Sequence, residues 1–88
     1  MHAVLVNVTI NDPQEAPNRL RNEVIPRVSS APGFVAGYWM RPAEDKGWSV
    51  ILFESEESAR AAREGIESPP EGYVTIESVQ VQEVIAHA

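Results

Sequence analysis

PGFVAGYWMRPAEDKGWSVILFESEESAR, residues 32–60, is the stretch that decides the fold. Gly33 supplies a position where positive φ is cheap and so ends whatever helix precedes it. Residues 34–41 then read as a strand, residues 42–47 as a polar hairpin loop, and residues 48–53, aromatic and β-branched, as a second strand. Ser55 follows at once as an N-cap, with Glu56 and Glu57 in the positive first turn of a helix. The stretch is therefore helix exit, strand, strand, helix entry. Working outward, residues 3–10 alternate as a strand, 13–31 carry helical periodicity, 55–66 complete the second helix and 73–86 form a last strand. The order βαββαβ predicts a single α+β domain over residues 1–88, ferredoxin-like, with a four-stranded antiparallel sheet.

The first strand sets Val4, Val6, Val8 and Ile10 on one face and Ala3, Leu5, Asn7 and Thr9 on the other. The all-branched face belongs under the helices. The mixed face, with Leu5 beside Asn7, is too apolar for open water and calls for a second buried surface, which in so small a domain means a partner sheet. A chain of 88 residues buries only about 60 to 65% of its unfolded surface alone, which also favours a homodimer.

In the first helix, Asp12 and Pro13 read as a start, while Pro17 leaves open whether regular helix begins at Pro13 or near Pro17. Leu20, Val24 and Val28 recur as a core stripe, Arg19 can pair with Glu23, and Pro26 predicts a kink. The second helix has the small inner stripe Ala59, Ala62 and Ile66 beneath a charged row of Glu56, Arg60 and Glu64. Along the last strand, Val74 and Ile76 share one parity and Val79 and Val81 the other, which predicts a bulge near Glu77 and Ser78. A strand of that length can reach a neighbouring subunit.

Thirteen acidic against seven basic residues leave a net charge of −6, the wrong sign for nucleic acid or an anionic membrane. With no cysteine, a disulfide framework, a thiolate nucleophile and a sulfur-ligated metal are excluded. The start of the chain lacks the pattern of a signal peptide and no apolar run reaches membrane length, so a cytoplasmic location is expected. There is no phosphate-binding glycine loop and no nucleophile elbow. Ser29, Ser30 and Ser49 read as turn or strand residues, and Glu54, Glu56 and Glu57 as a helix-entry charge set.

Residues 32–38, Pro-Gly-Phe-Val-Ala-Gly-Tyr, and residues 53–60, Phe-Glu-Ser-Glu-Glu-Ser-Ala-Arg, resemble the dimeric α/β barrel superfamily, in particular small actinobacterial proteins of the antibiotic-biosynthesis-monooxygenase type. The resemblance covers nearly the whole chain. It implies two ferredoxin-like sheets paired face to face in a homodimer, and for some relatives oxidation of polycyclic phenols by molecular oxygen without a bound cofactor. In the heme-degrading relatives an asparagine on the first strand works with a tryptophan and a histidine associated with the second helix. Asn7 matches the first of these, but residues 58–72 contain neither of the others, which disfavours heme degradation.

Four residues are candidates for substrate binding. Asn7 offers a primary amide to orient a phenol, carbonyl or oxygen species in a dry pocket, or else is a satisfied buried amide. Tyr38, Trp39 and Phe53, together with Trp48, can stack a flat aromatic ligand or simply pack, and Tyr38 and Trp39 must point to opposite faces. His2 and His87 are brought to one sheet edge by this topology, yet no carboxylate at fixed spacing completes a metal site, and no metal or cofactor is expected. No catalytic group stands out, because ionising a phenol needs a placed base and none is evident. The sequence thus points to a homodimer resembling cofactor-independent monooxygenases that act on aromatic or quinone-like molecules. The alternative is a non-catalytic binding or interaction domain whose barrel is filled by its own side chains.

Overall fold

A computed structural model describes residues 1–88. The elements run β1 (His2–Ile10), α1 (residues 15–29), β2 (Phe34–Ala43), β3 (Lys46–Phe53), α2 (Glu56–Glu64) and β4 (Val74–Glu83). The strands make one antiparallel sheet in the order β2-β3-β1-β4. This is the α+β, ferredoxin-like arrangement expected from the pattern order. No helix is long and apolar enough to cross a membrane.

The face of β1 carrying Val4, Val6 and Val8 lies under the helices, as its branched side chains require. Val4, Val6, Ile51, Phe53 and Ala59 form the buried core, and Phe34 meets Phe53 edge to face at 6.3 Å. Small side chains let α2 settle on this core: Ala59 is fully buried and Ala62 and Ile66 pack beside it. Ser55 caps α2 by accepting from the Ser58 amide at 3.1 Å, and Glu56 pairs with Arg60 at 2.8 Å on the solvent side. That pairing, first through the hydrogen bond from Arg60, holds the Glu56 carboxyl below its usual range.

Three segment boundaries differ from those read in the sequence. The β2–β3 hairpin is tighter, since Ala43 pairs with Lys46; β2 is an edge strand, where Pro42 sits in an irregularity between Met40 and Ala43 without costing a ladder bond. The turn is braced by Arg41, whose guanidinium donates to the Glu44 carbonyl at 2.6 and 3.1 Å. At the other edge β4 ends at Glu83, although the Val84 amide still donates to the Met1 carbonyl at 3.0 Å. The bulge in β4 falls where the change of phase requires it: Asn7 pairs with Ser78 and Val8 with Ile76, leaving Glu77 as the extra residue.

The third difference concerns α1. It begins at Glu15, with the Asp12 carboxylate accepting from the Gln14 and Glu15 amides at 3.1 and 3.0 Å. Its segments are α-helical Glu15–Arg19, a π-helical turn Leu20–Val24 and α-helical Ile25–Ser29. The Ile25 amide reaches back five residues to the Leu20 carbonyl. Pro26 has no amide to donate, and its ring crowds the carbonyl four residues earlier. A widened turn just before it relieves that crowding, so the expected kink is taken up as π-helix. Gly33, at φ +78°, then turns the chain into β2.

Candidate ligand-binding site

Along α1 only Ala16 is buried; Leu20, Val24 and Val28 are half-buried, and of these Val28 packs against the core. The predicted core stripe is therefore docked at one end and raised from the sheet along the rest. Beneath it lies a cavity of about 820 Å³, inside the range of roughly 300 to 1,000 Å³ usual for small-molecule sites. Leu20 and Val24 form its roof, Val6, Val8 and Ile51 its floor, and Trp39 a side wall.

The floor is low because the helix-facing positions of the inner and edge strands lack bulk. Gly37 on β2, and Gly47 and Ser49 on β3, occupy that face: Gly47 pairs with Val8, Ser49 with both Val6 and Trp39, and Gly37 with Ile51. Gly37 has a further role. A β-carbon placed on it would sit 2.6 Å from Cη2 and 2.7 Å from Cζ3 of Trp39, so the indole lies back across the bare glycine and leaves the space above free. These three small residues are the part of the site that sequence reading missed. Their shared parity opposite the branched face of β1 was the available signal.

Of the candidate residues, the structure brings Trp39 and Phe53 to this cavity and sends Asn7 and Tyr38 to the opposite face of the sheet. Phe53 is fully buried in the core at the cavity edge. Asn7 is not a buried amide in the protomer: it is exposed, and its Nδ2 donates to Ser78 Oγ at 2.9 Å across the β1–β4 register. Period-two alternation puts Asn7 with Leu5, and the cavity is on the other side. Tyr38, Met40 and Trp48, each about half exposed, share that open face with Leu5 and Val50. Trp48 also reaches the cavity's edge.

Polar groups also line the cavity, among them Arg27, Arg41 and Tyr73. Tyr73 stands at the end where β4 begins, its carbonyl accepting from the Asn11 and Asp12 amides at 2.9 and 3.1 Å. The Arg19 guanidinium lies 5.4 Å from its ring centroid and is itself held by Glu15, Glu23 and Glu71 at 2.6, 3.0 and 3.5 Å. Burial, reinforced by Glu23, pushes the Tyr73 phenol above its ordinary pKa, with Arg19 opposing. Tyr73 is thus a neutral hydroxyl at pH 7. No group of three or more His, Cys, Asp or Glu side chains is placed to hold a metal ion; His2 carries a buried Nδ1 without a partner, and His87 is exposed beyond β4.

No family model matches the chain, and no curated protein matches it by sequence. Solved structures do. An arginine-to-serine mutant of MhuD, with two manganese protoporphyrin IX bound per active site, superposes with a TM-score of 0.71 at 22% identity, covering 100% of this chain and 98% of that one. The heme-degrader MhuD from Mycobacterium tuberculosis, with two hemes in its active site, matches with a TM-score of 0.52 at 26% identity, over 97% and 98% of the two chains. The full-length match agrees with the fold implied by the resemblance of residues 32–38 and 53–60: the protomer has the α+β, ferredoxin-like fold of these structures.

Proposed function

We propose that this protein binds a flat, largely apolar aromatic or quinone-like molecule in the cavity between α1 and the sheet, as a metal-free relative of the oxygenase-type barrels. The observation that carries the reading is the cavity itself: about 820 Å³ roofed by Leu20 and Val24 and flanked by the Trp39 indole. A domain filled by its own side chains would have brought the α1 stripe down onto Val6 and Val8, and that is the reason to prefer a ligand over the filled alternative.

Heme is the group suggested by the MhuD structures, so its fit matters. The cavity is lined by no histidine, cysteine or lysine. Its remaining candidates for an iron ligand are Met40, which belongs to the opposite face of the sheet, and Tyr73, which burial keeps protonated. The donor set does not fit an iron porphyrin. A metal-free aromatic asks only for apolar walls and a stacking surface, which are present.

For catalysis, oxygenation of a phenol requires a base near the reacting hydroxyl. The lining carboxylates are Glu23 and Glu71, both engaged with Arg19, and Glu67. The proposal is therefore for ligand binding first, with oxygen uptake as the activity to assay in the same samples. The open face of the sheet, where Leu5 and Val50 accompany exposed Tyr38, Met40 and Trp48, supports a homodimer formed face to face. Titration with N-phenyl-1-naphthylamine, whose emission rises in apolar sites, tests the reading. Saturable enhancement at one site per chain, lost when Val24→Trp fills the cavity, is the expected result; no enhancement, or enhancement that survives Val24→Trp, would overturn it.

A further inference from the structure

We infer that Ser49 is the polar anchor of the cavity and that its ligand carries oxygen on the aromatic frame, as a phenol or quinone does. This rests on the proposed binding site and specifies what occupies it.

Ser49 lies in the middle of the floor. In the register it stands between Val6 on β1 and Trp39 on β2, on the same face as Ile51 and Phe53. A serine at such a position gives up the burial that its neighbours contribute and has weak strand preference. Nothing in the fold makes use of its oxygen. Other serine hydroxyls of the chain are engaged: Ser55 caps α2, Ser58 contacts Ser55, Ser68 accepts from the Ile76 amide at 2.9 Å, and Ser78 accepts from Asn7. Ser49 Oγ makes no hydrogen bond within the chain, and the residue is half-buried at the cavity surface. Its oxygen stays accessible at the cavity surface, where a ligand that displaced water without offering a polar partner would leave the hydroxyl unpaired.

The partner's chemistry follows from the position. Ser49 is beside the Trp39 indole, so a flat molecule stacked on that wall presents its edge to the hydroxyl. Serine can donate to a quinone carbonyl or accept from a phenol, whereas a bare hydrocarbon leaves it unpaired. The resulting specificity is for oxygenated over hydrocarbon rings of the same shape.

The test displaces bound N-phenyl-1-naphthylamine with 2-naphthol or with 2-methylnaphthalene, which exchanges hydroxyl for methyl at nearly constant shape. In Ser49→Ala the affinity for 2-naphthol should fall by roughly 2- to 10-fold, the range of one neutral hydrogen bond, with 2-methylnaphthalene unchanged or tighter. Ser49→Thr, which keeps the hydroxyl, should retain the preference, a result that a merely structural role for Ser49 would not give. Equal effects of Ser49→Ala on both ligands, or none on either, would overturn the anchor while leaving the cavity reading in place. Failure of both ligands to displace the probe from the wild-type protein would overturn the ligand class, and failure of the probe itself to bind would overturn the proposed function.

Discussion

Replacing Gly37 with alanine should close the cavity from the side without disturbing the strands. The new methyl would stand 2.6 Å from Trp39 Cη2 and 2.7 Å from Cζ3. Ordinary contact between such carbons is about 3.5 to 4.0 Å, so the ring edge must move by roughly 1 Å. Below the indole is the sheet, and the yielding direction is up into the cavity. Overpacking of this kind costs about 1 to 3 kcal/mol, offset by about 0.4 to 1 kcal/mol from the reduced freedom of the unfolded chain. A net loss of about 0 to 2.6 kcal/mol follows from those two ranges. Ligand affinity should suffer more than stability, by tenfold or more, because the stacking wall has turned into the ligand's space; tenfold is about 1.4 kcal/mol. The assay pairs urea unfolding with the N-phenyl-1-naphthylamine titration, and adds Gly37→Ala/Trp39→Leu, in which the clash is gone and stability should recover relative to Gly37→Ala. Binding within twofold of wild type in Gly37→Ala would refute the claim that Gly37 holds the cavity open.

Three further outcomes are expected. Because the Tyr73 phenol titrates above its unfolded value of 10.0, the unfolded chain releases this proton first and stability must fall as pH rises past 10; Tyr73→Phe should flatten that part of a stability-pH curve, and an unchanged slope would contradict the burial of the phenol. Leu5→Asp should convert a dimer to monomer in sedimentation velocity, since Leu5 lies on the open sheet face with Val50 and Trp48; a Leu5→Asp protein that sediments as wild type would place the interface elsewhere. Ser55→Ala should cost about 1 kcal/mol by removing the cap on the Ser58 amide, read as a drop in Tm of roughly 4 to 8 °C, with probe binding unaffected.

The fold was legible because its signals are local. Alternation in β1 sorts Val4, Val6 and Val8 from Leu5 and Asn7 whatever surrounds the strand, Ser55 caps whichever helix follows it, and the phase change in β4 locates the bulge at Glu77. The site was less legible because a cavity is an absence. Leu20, Val24 and Val28 have the same spacing whether they touch the sheet or roof a space above it, and periodicity cannot separate the two. What separates them is the bulk below, which is missing at Gly37, Gly47 and Ser49, and becomes visible only once the strand register puts these positions on one face. Asn7 shows the converse: its parity was legible from alternation alone and puts it on the open face of the sheet, where it donates to Ser78.

The most direct measurement of the central claim follows Trp39 emission in a Trp48→Phe protein, where Trp39 is the remaining tryptophan, during titration with 1,4-naphthoquinone and with dissolved oxygen monitored. The account predicts saturable quenching at one site per chain that disappears when Val24→Phe is added, a substitution that fills the space without introducing another indole. Quenching that rises linearly without saturating, or that is the same when Val24→Phe has filled the space under α1, would contradict it.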